Sequence, residues 1–121
     1  MTAGSDENIK ENITSLSYPT NSLDLISSLK IKSWTYKDDY LDANQMPASK
    51  GLTYTGYIAQ DLQAINSEYV SSVEDPRDDS KTILTITEKF TTDVKSALLG
   101  ALIELKDKND ALEARIAALE A

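Results

Sequence analysis

The chain has no cysteine and no histidine among its 121 residues, and only four glycines, three prolines, one tryptophan and one phenylalanine. Without cysteine there is no disulfide framework, no thiol nucleophile and no thiolate metal site; without histidine there is no Ser-His-Asp triad. No stretch approaches the roughly 18 consecutive apolar residues of a membrane-spanning helix. The N-terminus lacks the basic region and apolar run of a secretory signal. Positive charge is scarce: 12 Lys and Arg stand against 20 Asp and Glu, for a net charge of -8. Such a surface repels phosphate, so neither nucleic acid nor an anionic membrane is expected as a partner.

What is present is the composition of a folded protein, with 40% apolar and 26% charged residues. The length fits one small domain, or a smaller one with an appendage. The strongest periodicity lies at the C-terminus. Leu98, Leu105, Leu112 and Leu119 recur every seven residues, with Leu102, Asn109 and Ile116 at the alternate core positions. In heptad terms the leucines take d and the intervening residues take a, the seam of a coiled coil. Glu104, Lys106, Lys108, Glu113 and Arg115 occupy the other faces, and Ala111, Ala114, Ala117 and Ala118 favour helix. The alternative is an amphipathic helix packed on its own domain; the narrow stripe favours self-association. Asn109 at an a position trades stability for register and argues for parallel copies. Leucine at d with asparagine at a leans toward a dimer in simple peptides. Upstream, Thr87 to Gly100 continues the helix with a stripe of Phe90, Val94, Ala97, Leu98 and Ala101 that packs on the globular part. Gly100 either weakens this helix or permits a close helix contact.

The first two thirds read as a small α+β body. Asp6 to Leu16 is expected as a short helix ending before Tyr18-Pro19. A second, capped by Asn21 or Ser22, carries Leu23, Leu25, Ile26 and Leu29. Lys30 to Lys37 alternates as a strand, Thr53 to Ile58 is a second strand, and Ala59 to Ile65 a short helix. Between the strands, residues 37–52 form a polar arm containing Pro47 and Gly51, expected to stay off the domain's own core. Tyr69 to Val73 and Thr82 to Thr87 form a hairpin around the acidic turn Glu74 to Ser80, which lacks the spacing of a calcium loop. No metal or cofactor is expected. The domain plan is therefore residues 1–4, a body at 5–86, and a terminal helix at 87–121 with its seam at 98–119.

With cysteine and histidine absent, covalent chemistry here would rest on a serine activated by a lysine. Ser5 stands five residues ahead of Lys10. The competing reading makes Ser5 a helix N-cap, with Asp6 and Glu7 suiting the positive end of the helix dipole. Residues five apart on an α-helix lie about 140° apart around its axis, so Ser5 must sit outside a regular helix to meet Lys10 of its own chain. Otherwise a neighbouring chain supplies the lysine.

Three segments carry a family resemblance. Ser5-Asp6 with Lys10, Asn12 and Ile13, then Ser33-Trp34-Thr35-Tyr36-Lys37, then Gly56-Tyr57-Ile58-Ala59-Gln60-Asp61, occur in order and are followed by a leucine-rich terminal helix. The pattern resembles the C-terminal intramolecular chaperone domain of bacteriophage tailspikes, tail fibres and neck appendages. This family includes the endosialidase tailspike chaperone and is related to the auto-processing domain of the myelin regulatory factor. The resemblance runs from Ser5 to the terminal helix.

It implies an α+β body followed by a long helix in a parallel homotrimeric coiled coil, whose partner is the upstream β-helical fibre of the same polypeptide. It also implies that the domain assists trimerisation and folding of that fibre and then cuts itself free as a single-turnover serine endopeptidase. Carried over residue by residue, Ser5 is the nucleophile and Lys10 the general base, with Asn12 and Gln60 as hydrogen-bonding organisers. The scissile bond is expected at Gly4-Ser5, with Ser5-Asp6 as the alternative, and no cofactor takes part. The setting is the host cytoplasm during virion assembly, with release from the mature virion appendage. Met1 to Gly4 are expected to be a remnant of a longer chain, too short for cleavage to proceed. The competing function is a non-cleaving trimerisation and folding module with an inert Ser5; a weaker one is an adaptor that binds a partner through the terminal helix.

Overall fold

The computed structural model describes residues 4–15, 17–18 and 21–121. The chain enters through a single 3₁₀ turn, Glu7–Ile9, and continues without regular structure through Ser15. The helix expected from Asp6 onward is therefore one turn long; Leu16 and Pro19 lie outside the described residues. The reason is local. A short helix needs an apolar face packed on something, and Ile9 and Ile13 are 70% and 63% exposed, while Asn12 adopts a left-handed φ of 53°.

Helix α1, Ser22–Ser28, follows where Leu23, Leu25 and Ile26 share an apolar stripe. The Asn21 side chain makes no capping hydrogen bond; the Leu23 N–H donates to Glu104 Oε2, 3.0 Å away on the terminal helix. Strand β1, Lys32–Trp34, pairs antiparallel with β2, Tyr54–Gly56, in the register Lys32↔Gly56 and Trp34↔Tyr54. The paired segments are shorter than the alternation suggested, because Tyr36 leaves the ladder. Its ring stacks on Tyr40 at 5.7 Å and meets Tyr54 edge-on at 5.1 Å.

Residues 37–52 differ from a free polar arm. They hold helix α2, Asp38–Ala43, and a 3₁₀ turn, Pro47–Ser49. Asp38 and Asp39 suit the first turn of α2, and Lys50 pairs with Asp42 at 2.6 Å. Leu41 is fully buried, so the segment contributes to the domain's own packing. The polar composition hid a helix with one buried anchor per two turns. Helix α3, Ala59–Ile65, then buries Leu62.

Strands β3, Val70–Asp75, and β4, Asp78–Ile86, form the hairpin, longer than expected because the acidic residues join the ladder. Two residues, Pro76 and Arg77, turn the chain, and neither has a positive φ. Such a turn does not match the strand twist as the left-handed hairpin turns do, and a register shift at Glu74/Asp75 absorbs the difference. Arg77 fastens the turn. Its backbone N–H and Nε donate to Asp75 Oδ1 at 2.9 and 3.0 Å, and Nη2 donates to Asp75 Oδ2 at 2.9 Å. Arg77 Nη1 also reaches Asp39 Oδ1 of α2 at 3.5 Å. The acidic turn thus spends its buried carboxylate on its own arginine.

Helix α4, Glu88–Glu120, is about 50 Å long at 1.5 Å per residue. Its first turns complete the core. Phe90 meets Tyr57 and Tyr69 edge-on at 4.9 and 5.1 Å, and Leu62, Leu25, Leu29, Val70 and Val94 close around them. Tyr69 Oη donates to Asp93 Oδ2 at 3.0 Å. Burial and this carboxylate hold the phenol neutral, its pKa pushed up to about 12. Further along, Ala97, Gly100 and Ala101 are buried where α1 crosses. Leu98, by contrast, is 47% exposed and belongs to the seam rather than to the body-facing stripe.

Two predictions follow from this packing. A Cβ on Gly100 would sit 2.5 Å from Ser22 Oγ and 2.9 Å from Tyr18 Cβ. Gly100→Ala should therefore lower stability in urea by about 1–2 kcal/mol, reversing the gain of about 1 kcal/mol that alanine brings to an open helix. The second concerns acid. Hydrogen bonds from Arg77 hold the Asp75 carboxyl below the usual carboxylate range. A depressed pKa contributes stability above the ordinary value near 4 that is lost as pH falls through the lower one. Asp75→Asn should lower stability at pH 7 and flatten the fall in melting temperature between pH 4 and pH 2 (approximate bounds).

Candidate functional site

The 3₁₀ turn positions both residues of the candidate dyad. Asp6, not Ser5, is its N-cap: the Asp6 carboxylate accepts from Asn8 N at 2.9 Å. Aspartate and serine are comparable at an N-cap; the turn begins at Glu7, so the role falls to Asp6. Ser5 thus sits one residue outside the cap, and the structural reading of its hydroxyl as the helix cap is replaced. Lys10 closes the other end, its N–H donating to Glu7 O at 3.1 Å, with φ -118° and ψ 151°. Chain segments therefore leave both ends of one tight turn in extended conformation. The angular separation imposed by a continuous α-helix does not apply here.

The turn lies in solvent. Gly4, Ser5, Asp6, Lys10 and Asn12 are all exposed, and among the described residues no hydrogen bond joins Ser5 to Lys10. Gly4 packs under the Ile9 side chain, where a Cβ would collide with Ile9 Cδ1. Gln60 stands on the first turn of α3 and lines an open 430 Å³ cavity with Trp34, Tyr36, Tyr57 and Leu84. The described hydrogen bonds connect neither Asn12 nor Gln60 to Ser5. Asp6 was not read from the sequence as the cap because the expected longer helix assigned that role to Ser5; an Asp-x-Asn pattern was the available signal.

The second candidate surface is the outer face of α4. Leu98, Leu102, Leu105, Leu112, Ile116 and Leu119 are 47% to 83% exposed along it. Beside the body the strip widens, with Leu99 and Ile103 56% and 46% exposed. Beyond Glu104 no residue of the helix is buried or half-buried. Charged side chains flank the strip, with Lys106 and Asp110 paired at 2.6 Å one turn apart. Asn109 Nδ2 lies 3.5 Å from Glu113 Oε1. Among the described residues no helix is long and apolar enough to cross a membrane.

Residues 5–71 match the sequence model of the peptidase-class family described as chaperone of endosialidase. The match begins at Ser5, spans more than half of the chain, and takes in the turn, both strands of the first pair, α2 and α3. It stops at the start of the β3–β4 hairpin, ahead of α4. No curated protein matches the chain. The resemblance carried by the Ser-Asp, Trp-Thr-Tyr and Gly-Tyr-Ile-Ala-Gln segments is borne out, and with the observed α+β body and long terminal helix the chain belongs to the chaperone of endosialidase family, the intramolecular chaperones.

Proposed function

We propose that this domain trimerises through α4, promotes folding of an upstream β-helical tailspike or tail fibre, and then releases itself by autoproteolysis at Ser5. The supporting observation is the placement of Ser5 and Lys10 at the two ends of one exposed turn, with Ser5 outside the cap. Family membership over the segment that begins at Ser5 supports the same reading.

The chemistry balances as an acyl shift followed by hydrolysis. Ser5 Oγ attacks the Gly4 carbonyl carbon as Lys10 Nζ, in its neutral form, accepts the hydroxyl proton. The Gly4–Ser5 C–N bond breaks, and the departing Ser5 nitrogen takes that proton back from Lys10. Gly4 is left as an ester on Ser5 Oγ, and water hydrolyses it to a carboxylate and free Ser5. Attack on the Ser5–Asp6 bond is the alternative. A lysine acts as a base once burial disfavours its ammonium form. Both side chains are exposed in the single chain, so neighbouring chains or the folded fibre supply that burial. Cleavage is then conditional on assembly, which suits a chaperone that must stay attached until its client has folded.

The exposed a and d residues of α4 are the trimerisation surface. Asn109 fixes a parallel register, and the broad strip at Leu99 and Ile103 gives the body-proximal part more apolar contact than a two-stranded seam uses. The proposed site of action is the host cytoplasm during virion assembly, with loss of the domain from the finished appendage. A non-cleaving trimerisation module is the second reading, favoured by the lack of a Ser5–Lys10 hydrogen bond in the described chain.

Ser5→Ala and Lys10→Ala should each abolish release of a fused upstream fibre on a denaturing gel while leaving the fold intact. Lys10→Arg should fail as well, since guanidinium does not deprotonate in the working range. Mass spectrometry should find the released domain starting at Ser5; a start at Asp6 selects the alternative bond. Efficient release by Ser5→Ala would show Ser5 to be inert and remove the dyad, whereas no release by the parent would support the non-cleaving module.

A further inference from the structure

The segment around Ser5 is exposed, but it is hydrogen-bonded within itself. Asp6 Oδ1 accepts two hydrogen bonds from a single residue, one from Asn8 N and one from Asn8 Nδ2, both at 2.9 Å. Asp6 O accepts from Ile9 N at 3.3 Å, and Glu7 O accepts from Lys10 N at 3.1 Å. Four hydrogen bonds therefore close a five-residue stretch that buries no side chain. An exposed one-turn helix gains little from packing; beyond the Ile9 side chain lying over Gly4, these bonds are what hold it. Among the described residues, Asp6 is the only side chain that ties the start of the turn to its middle. Its backbone, at φ -66° and ψ 132°, is the extended conformation of a cap, and this is the residue covalently joined to Ser5.

We propose that Asp6 is a positioning residue for self-cleavage: its carboxylate clasps Asn8 and so fixes the turn whose two ends carry Ser5 and Lys10. The proposal rests on the Ser5–Lys10 reading above and adds to it a role for the acidic neighbour. From charge alone, Asp6 would be an opponent of catalysis, because a carboxylate near Lys10 favours the ammonium form. The geometry assigns its acceptor oxygen to Asn8, and no ion pair joins Asp6 to Lys10 among the described residues. What the turn needs at this position is an oxygen at the right reach, not a negative charge. Asparagine and serine provide that oxygen; alanine lacks it, and glutamate carries the charge on a chain one methylene too long.

The test compares five forms of the chain fused behind its upstream fibre: the parent, Asp6→Ala, Asp6→Glu, Asp6→Asn and Asp6→Ser, with Ser5→Ala as the control. Release is followed over time on a denaturing gel. Asp6→Ala and Asp6→Glu should slow release about five- to tenfold, the scale set by losing an N-cap. Asp6→Asn and Asp6→Ser should release within about twofold of the parent. All should melt with the parent, because the turn contributes no buried side chain. In the 121-residue chain, the Asn8 backbone amide resonance should stay in place in Asp6→Asn and move to its free position in Asp6→Ala. If Asp6→Asn is as slow as Asp6→Ala, charge rather than the clasp is at work and the proposal is overturned. It is overturned equally if Asp6→Ala releases at the parent rate while Ser5→Ala is silent. Release by Ser5→Ala would instead remove the dyad reading, and the clasp's catalytic role with it.

Discussion

The terminal helix α4 carries two apolar faces, and the rest of the molecule is arranged around that fact. One face, Phe90, Val94, Ala97, Gly100 and Ala101, is the floor of the body. The other, from Leu98 through Leu119, points into solvent. A body with so few buried side chains has little core of its own, and most of what it has gathers on Phe90. Folding the body and forming the first turns of α4 are thus one event. Any partner that engages the outer face meets a helix whose inner face is already committed to the body.

The contact between α1 and α4 transmits this arrangement toward the N-terminus. Gly100 lets the start of α1 approach to within the space of a methyl group, and Glu104 caps α1 from across the interface. The segment bearing Ser5 and Lys10 precedes that junction in the chain and has no buried side chain of its own. In the proposed account the association of α4 brings other chains to the surroundings of Ser5.

Where the sequence pattern repeats over many residues, the expectation and the structure agree. The long helix and the hairpin follow from heptad spacing and from alternation bracketed by turn residues, and α3 falls at Ala59–Ile65 as read from Leu62 and its neighbours. Short elements whose order comes from elsewhere were not legible in the same way. The pairing of β1 with β2 joins three residues to three across an intervening segment, and no local signal encodes it. Helix α2 hides in a polar stretch because a single buried leucine, Leu41, anchors it. The reverse error occurs at Asp6 to Leu16, where helix-like spacing of Ile9 and Ile13 finds no surface to cover. At the candidate site, the motif order pointed to the segment that begins at Ser5, where the family match also begins. The cap assignment was not legible, because choosing between Ser5 and Asp6 depends on where the turn begins.

The central claim is that self-cleavage at Ser5 waits on association of α4, and it is tested most directly by breaking the seam while leaving the turn intact. Leu105→Asp with Leu112→Asp places charges on two exposed d positions outside the body's buried cluster. Sedimentation equilibrium and release of the fused fibre are then measured on the same samples. The account predicts that the parent sediments as a trimer and releases, whereas the double variant sediments as a folded monomer and does not release at any concentration that keeps it monomeric. A monomeric variant that releases its fibre at the parent rate would contradict it.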